Sequence, residues 1–319
     1  MNSLITDGLA FALPLFIMAV GGIYSEKSGV TNLAVEGFQG FGAFIGALIA
    51  TILSLKSGLG GQTIIYIAIA AAFVGGAVYA MLHALLCIYF DADQVISGVV
   101  INILGLALTT FLTSQINGVL FGNASNKFVL ETSYRFSVPG LSSIPIIGAI
   151  FTKVYPFEIL ILVLGVFFWY LMYKTRYGMR LRACGENPQA VDAAGGNVYK
   201  IRFISVMISG GLSGIGGMCI AYSLLVQYSP NIYLGYGYLA IAAMIFGNWN
   251  IIPTFFVCIF FGLAKAGGNQ LCLVMQLSSL YTNLFMIIPY VLTLVMMIFF
   301  SKRNHPPKAA GQPYDKGQR

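Results

Sequence analysis

Polar side chains set inside long apolar runs are where this sequence could do chemistry. Asn32 and Glu36 stand four residues apart in Gly29-Val-Thr-Asn-Leu-Ala-Val-Glu-Gly37, a spacing that puts both on one helix face. An amide and a carboxylate at membrane depth are costly and are kept for a pathway or for a bond to another segment. Two readings stand side by side: a polar face that lines a pathway or fixes a broken helix, and a cap at the start of the helix itself, where the helix dipole favours Glu36. Asn102 lies in another apolar run, after Gly98, where it glues helices together or lines the path. Lys265 is mid-run with Asn269 one turn on; it faces protein or a polar lumen, or snorkels outward. Tyr222, Tyr228, Tyr233, Tyr236 and Tyr238 cluster further along, as an aromatic belt at the membrane surface or as stacking surfaces for a flat substrate. Trp249 stands close to the same path in Trp249-Asn-Ile-Ile-Pro253.

Catalytic and metal chemistry find little to work with. The two histidines, His83 and His305, are far apart in sequence, so no H-E-x-x-H site exists. There is no Gly-Lys dipeptide, hence no phosphate-binding loop of the G-x-x-x-x-G-K-[ST] type and no ATP bound by that device. Gly-x-Ser-x-Gly is absent, so there is no nucleophile elbow. Cys87, Cys184, Cys219, Cys258 and Cys272 show no C-x-x-C spacing and four lie in apolar runs; they read as small core residues. The chain is expected to be no enzyme and to bind no metal or cofactor.

One polar island has a grammar of its own: Arg180-Leu-Arg-Ala-Cys-Gly-Glu-Asn-Pro-Gln-Ala-Val-Asp-Ala-Ala-Gly-Gly-Asn197. Asn187 suits the N-cap, where its side-chain oxygen accepts an orphan backbone N–H. Pro188 suits the first helical position, where its missing N–H costs nothing. Gly195-Gly196 supplies a left-handed stop. The helix so specified is about two turns long, too short to be stable alone in water, so it is built to dock against something. Ala190, Val191, Ala193 and Ala194 give it a small apolar surface, and Glu186 and Asp192 offer charge.

The elements that position these residues are membrane spans. Of 319 residues, 58% are hydrophobic and 8% charged, against roughly 25% charged in a soluble domain. The net charge of +7 does not point to nucleic acid, because the Lys and Arg flank apolar runs, where they set orientation. The expected fold is all-α and polytopic, with nine spans near Leu9–Tyr24, Val35–Leu55, Thr63–Phe90, Val95–Ile116, Phe157–Tyr173, Ile201–Val226, Gly237–Pro253, Thr254–Leu273 and Leu284–Phe300. The seventh and eighth abut, as a hairpin or one broken helix. Met1 to Tyr24 lacks a basic n-region and a cleavage site and reads as a retained first span. Lys and Arg concentrate around 174–202 and after the last span. The positive-inside rule therefore places both regions and Lys27 in the cytoplasm, twelve basic residues against four outside. The N-terminus and the 117–155 loop are then external and the C-terminus cytoplasmic. Residues 1–303 form a single transmembrane domain with a cytoplasmic loop at 174–202, and 304–319 a cytoplasmic tail. The run Ser209-Gly-Gly-Leu-Ser-Gly-Ile-Gly-Gly217 allows close helix approach or local unwinding.

Four segments together resemble the permease subunits of bacterial ATP-binding cassette importers, within the branched-chain amino acid and simple-sugar permease superfamily and nearest its receptor-dependent nucleoside branch. Gly21–Gly37 is similar to the pattern G-E-[RK]-x-G-x-x-N-x-x-x-E-G, and Ile96-Ser-Gly-Val-Val-Ile-Asn-Ile-Leu104 accompanies it. The island is similar to R-A-x-G-E-N-P-x-A-A-x-x-x-G, and Gly235–Asn250 fits G-x-G-[FY]-x-A-x-A. The likeness runs from about Gly21 to Lys302. Departures are Tyr236 where an Arg is frequent, a turn two residues longer at Trp249–Pro253, and Val191 where an Ala is frequent.

The resemblance implies that Glu186, Asn187, Pro188, Ala190, Val191, Asp192, Ala193, Ala194 and Gly195 form a coupling helix. A separate cytoplasmic ATPase, which carries ATP and Mg, moves that helix to switch access. It further implies a second, homologous permease, an extracytoplasmic substrate-binding lipoprotein, surrounding lipid and the bacterial inner membrane. Asn32, Glu36, Asn102, Tyr222, Tyr238, Trp249, Lys265 and Asn269 are the expected pathway residues. A ribose-like sugar or a branched-chain amino acid is the alternative cargo. A secondary transporter or channel is the alternative class, but it needs ion-coupling carboxylates in the spans, for which Glu36 and Glu158 are the candidates.

Overall fold

A computed structural model describes residues 2–56, 58–130, 135–140, 148, 152–233, 235–275, 291 and 305–316. The chain is a bundle of helices. In chain order these are α1 (Asn2–Lys27), α2 (Val35–Lys56), α3 (Gly61–Ile88), α4 (Gln94–Phe121), α5 (Pro156–Lys174), α6 (Arg176–Glu186), α7 (Pro188–Ala193), α8 (Val198–Ile220), α9 (Tyr236–Phe246) and α10 (Ile251–Val274). Among the described residues, seven helices are long and apolar enough to cross a membrane: α1 to α5, α8 and α10. Short polar side chains mark the helix starts. Asp93 accepts the amides of Val95 and Ile96, Thr175 that of Gly178, and Asn197 that of Lys200, each satisfying donors the helix leaves free.

The core is a seam between α2, α3 and α8. It closes because the facing residues have no side chain. A Cβ at Gly76 would stand 2.2 Å from the Gly210 carbonyl, and one at Gly214 would stand 2.2 Å from the Ala72 carbonyl. The small-residue run in α8 is therefore used for close approach, and α8 runs through it unbroken to Ile220. It ends in a π-helical turn, Ala221–Leu225. Beyond that turn, a two-stranded antiparallel ribbon pairs β1 (Phe128–Val129) with β2 (Gln227–Tyr228), Phe128 opposite Tyr228.

The expected seventh span is much shorter than Gly237–Pro253. α9 has 11 residues, about 16 Å of helix at 1.5 Å per residue, roughly half a bilayer's hydrocarbon thickness. It lies along α1 from Phe11 to Gly22, with Tyr236 against Phe11 at 5.2 Å between ring centroids and Met244 against Gly22. Ahead of it in the chain, β2 and a 3-10 turn, Pro230–Tyr233, lie against α2. α9 and α10 form a helical hairpin. Asn248 and Trp249 take left-handed backbone at their junction, and Pro253 falls in the first turn of α10, where a missing N–H does no harm. The expected ninth span, 284–300, lies outside the described residues apart from Val291.

The seam makes a stability prediction. Gly214→Leu should destabilise the purified chain by about 1–3 kcal/mol, the usual range for overpacking. A Cβ at Gly40 meets nothing within 4 Å, so Gly40→Ala should not lower the melting temperature in detergent and should raise it slightly, Ala being the better helix former.

Candidate functional site

Two helices begin at one spot on the flank of the bundle, and both are capped by side chains from other helices. Glu36, at the start of α2, accepts the Gly235 amide on Oε1 at 2.9 Å and the Tyr238 amide on Oε2 at 3.4 Å. It thus caps α9 and not its own helix. Gly235 fits here because its φ of 94° is left-handed, where a side chain is strained. Asn102 of α4 does the same for α2. Its Oδ1 accepts the Gly37 amide at 2.7 Å, while its Nδ2 donates to the Leu33 carbonyl at 2.8 Å and the Tyr238 hydroxyl at 3.0 Å. Beside this knot opens a cleft of about 210 Å³, bordered by Glu36, Gly40, Asn102, Thr109, Pro230 and Tyr238. Tyr238 is 46% exposed, so its ring face is free to meet a ligand. The α4 face next to the cleft exposes Val99, Ile103 and Phe111.

The cleft gathers three of the eight expected pathway residues. Lys265 and Asn269 border a second cavity, of about 290 Å³, together with Asp7, Phe11, Arg135 and Ser223. Lys265 donates to the Tyr236 hydroxyl at 2.6 Å and stands 3.9 Å from the Phe11 ring centre and 4.1 Å from that of Tyr236. Cation–π contacts of this kind stabilise a desolvated ammonium by about 2 kcal/mol. The remaining three are core residues. Asn32 is fully buried, donates to Ser209 Oγ at 2.8 Å and accepts the Ala34 amide at 3.0 Å, so it ties the α1–α2 turn to α8. Tyr222 is buried beneath the ribbon. Trp249 is buried and donates its indole N–H to Glu26, which pins the α9–α10 turn to the end of α1. Of the other tyrosines, Tyr228 is buried and Tyr236 is taken up by Lys265.

At the island end, Asn187 caps α7 by accepting the Ala190 amide at 3.0 Å, Pro188 is its first residue, and Gly195 takes φ 77°. Glu186, Ala190, Ala193 and Ala194 are exposed, whereas Pro188 and Val191 are buried. Val191 is therefore the inward anchor of α7, and the outward apolar surface is the three alanines. α6, which precedes it, was not expected from the sequence. It is amphipathic, with Leu181 and Cys184 buried against the bundle. Burial pushes the Cys184 thiol up, and the neighbouring Arg202 guanidinium pulls the other way. Arg202, one of the basic residues that set the orientation of 174–202, is 2% exposed. It donates to the Ser28 and Gln312 carbonyls.

Seven described helices of membrane-crossing length, a mainly apolar cleft on one flank into which Glu36, Asn102 and Tyr238 bring polar groups, and a capped helix presented at one end make this a polytopic membrane protein. Among the described residues, no three His, Cys, Asp or Glu side chains gather as a metal site. The family of permease components of branched-chain amino acid transport systems matches residues 4–299, and the chain belongs to it. Guanosine ABC transporter permease protein NupQ of Bacillus subtilis is 37% identical over 315 residues, 98% of this chain and 96% of its own length. Nucleoside ABC transporter permease protein NupC of Lactococcus lactis is 33% identical over 99% of this chain and 97% of its own. Nucleoside ABC transporter permease protein NupB of the same organism is 21% identical over 80% of this chain and 69% of its own. No solved structure matches the chain at a significant level.

The capping knot is testable by amide exchange. Glu36→Ala removes the acceptor for the start of α9, and losing a cap costs about 1 kcal/mol or more. Exchange at 235–238 should quicken in Glu36→Ala and less so in Glu36→Gln, which keeps one acceptor oxygen.

Proposed function

We propose that this chain is the permease subunit of an ATP-driven importer of nucleosides. It crosses the bacterial cytoplasmic membrane in nine segments counting α9 and 284–300, with its N-terminus outside and α6, α7 and 305–316 in the cytoplasm. The observation that carries the cargo is the near full-length likeness to a guanosine permease. The cleft supports it. Tyr238 offers an exposed ring to a base, and Asn102 and Glu36 set an amide and a carboxylate beside it for polar groups of the sugar or base edge. At about 210 Å³ the cleft falls short of the roughly 300 Å³ at which ligand pockets begin, so it reads as half a site. A second permease packed on the exposed α4 face completes it, in keeping with the existence of differently named nucleoside permeases in one organism.

Energy enters through α7. The exposed Ala190, Ala193 and Ala194 let a partner backbone approach closely, and Glu186 beside them suits a basic groove on the ATPase. ATP and Mg stay on that partner, and an extracytoplasmic receptor delivers the nucleoside to the opposite end. Closure of the ATPase domains moves α7 and switches the cleft between outward and inward access.

Uptake of labelled guanosine, ribose and leucine into vesicles holding the complete complex should show the nucleoside alone accumulating. Leucine uptake without nucleoside uptake rejects the cargo. Because stacking on an aromatic ring is worth about 1–3 kcal/mol per base, Tyr238→Ala should raise the KM for uptake roughly ten-fold and Tyr238→Phe much less. Ala190→Arg should abolish substrate-stimulated ATP hydrolysis while the receptor still docks. Undiminished stimulation rejects α7 as the coupling helix.

A further inference from the structure

Residues 305–316 belong to no helix or strand, yet they are fastened along their length to the island end of the bundle. The His305 amide donates to Asn248 Oδ1 at 2.9 Å, in the α9–α10 turn. Pro307 packs on Gly185, and the Ala309 amide donates to the Gly185 carbonyl at 2.8 Å. A Cβ at Gly311 would stand 3.3 Å from Thr31 Oγ1, in the α1–α2 turn. The Gln312 carbonyl accepts from Arg202 Nη1 at 3.0 Å. Tyr314 is 6% exposed. Its ring meets that of Tyr199 edge-on at 5.4 Å, its carbonyl accepts the Tyr199 hydroxyl at 3.2 Å, and the Asp192 carboxylate of α7 lies near its hydroxyl. One irregular segment, folded on itself by a turn at 308–311, thus touches the α1–α2 turn, α6, α7, α8 and the α9–α10 turn. Ordering such a segment costs about 1–2 kcal/mol per residue in backbone entropy, so these bonds and the buried tyrosine are what hold it.

We propose that 305–316 is a strap that transmits the movement of α7 into the spans, with Tyr314 and Arg202 as its positioning residues. The proposal rests on the reading of α7 as the helix an ATPase moves. α7 is six residues long and is seated on the bundle by its two buried residues, Pro188 and Val191. The strap adds a second hold. Through Tyr314 it ties Asp192 of α7 to Tyr199 at the root of α8. Through Gln312 it meets Arg202, whose Nε donates to the Ser28 carbonyl at 3.3 Å. The guanidinium fits because residue 29 is glycine: a Cβ there would stand 2.7 Å from Nη2. The turn so gripped continues into Asn32, bonded to Ser209 of α8, and Glu36, bonded to α9. Displacement of α7 therefore reaches Glu36 and the start of α9, on the border of the cleft, by a chain of bonded groups.

The test uses the full chain in lipid nanodiscs, as Tyr314→Ala, as Ala309→Pro (which deletes the amide bonded to Gly185), and as a truncation after residue 304. Amide exchange at 188–195 should be roughly ten-fold faster in each variant, since local opening tracks the bonds that hold a segment. Unchanged exchange overturns the strap. In the complete complex, each point variant should keep its ATPase bound and its basal hydrolysis intact, while nucleoside imported per ATP hydrolysed falls at least five-fold. Tyr314→Phe, which keeps the ring contact and loses the hydroxyl, should fall between. An unchanged import ratio, or loss of the ATPase from the complex, overturns the proposal. If the unmodified complex imports no nucleoside, it is the functional reading that fails, and the exchange comparison still decides whether the strap holds α7.

Discussion

The structure depends on satisfying backbone amides at helix starts that lie inside the bundle. A helix leaves its first N–H groups without partners, and where water is scarce each unpaired group costs several kcal/mol. α9 begins against the middle of α1, far from either end of the bundle, and α2 begins against α4 and α8. Both starts are possible because Glu36, Asn102 and Asn32 reach across from neighbouring elements or from the preceding turn. The segment 28–37 is thus a junction: Ser28 holds Arg202, Asn32 holds Ser209, Glu36 holds α9, and Gly37 is held by Asn102.

Around that junction the bundle divides into a tight part and a looser one. The α2, α3 and α8 seam brings backbones into contact and tolerates no added carbon at Gly76 or Gly214. α4, α5 and α10 are far more exposed along their length. The cleft sits where the two parts meet, bordered by α2 on one side and α4 on the other. A close-packed seam passes on displacement and does not deform continuously, whereas the exposed helices beside it keep surface for other contacts.

Much of this was legible in the chain itself. The spans follow from apolar length, and the α7 grammar of Asn187, Pro188 and Gly195 reads directly, because capping is local in sequence. What escaped is what tertiary contact decides. Glu36 and Asn32 share a helix-like spacing, but Asn32 sits in the turn before α2 and points to Ser209, so the spacing misled. α9 starts where the apolar run does but stops at Phe246, because Asn248 and Trp249 turn the chain into α10, and its start is capped by a carboxylate 199 residues away, which no local pattern carries. α6 was hidden by Gly178 and Gly185, poor helix formers kept for room against the Met172 and Lys27 carbonyls. Val191 and Ala190 are both apolar, and only the rotation of α7 tells the anchor from the outward face. The strap had one signal, a lone aromatic, Tyr314, in a polar tail.

The bond between Glu36 and α9 has an evolutionary consequence. Its acceptors are side-chain oxygens, but its donors are main-chain amides of Gly235 and Tyr238. Any residue that keeps the backbone path can stand at 238 without breaking the contact, whereas position 36 has almost no freedom. Correlated substitution between the two sites is therefore not expected, however strongly they are joined. The ring at 238 can change while its amide stays anchored, at the cost only of the bond from Asn102 to the tyrosine hydroxyl.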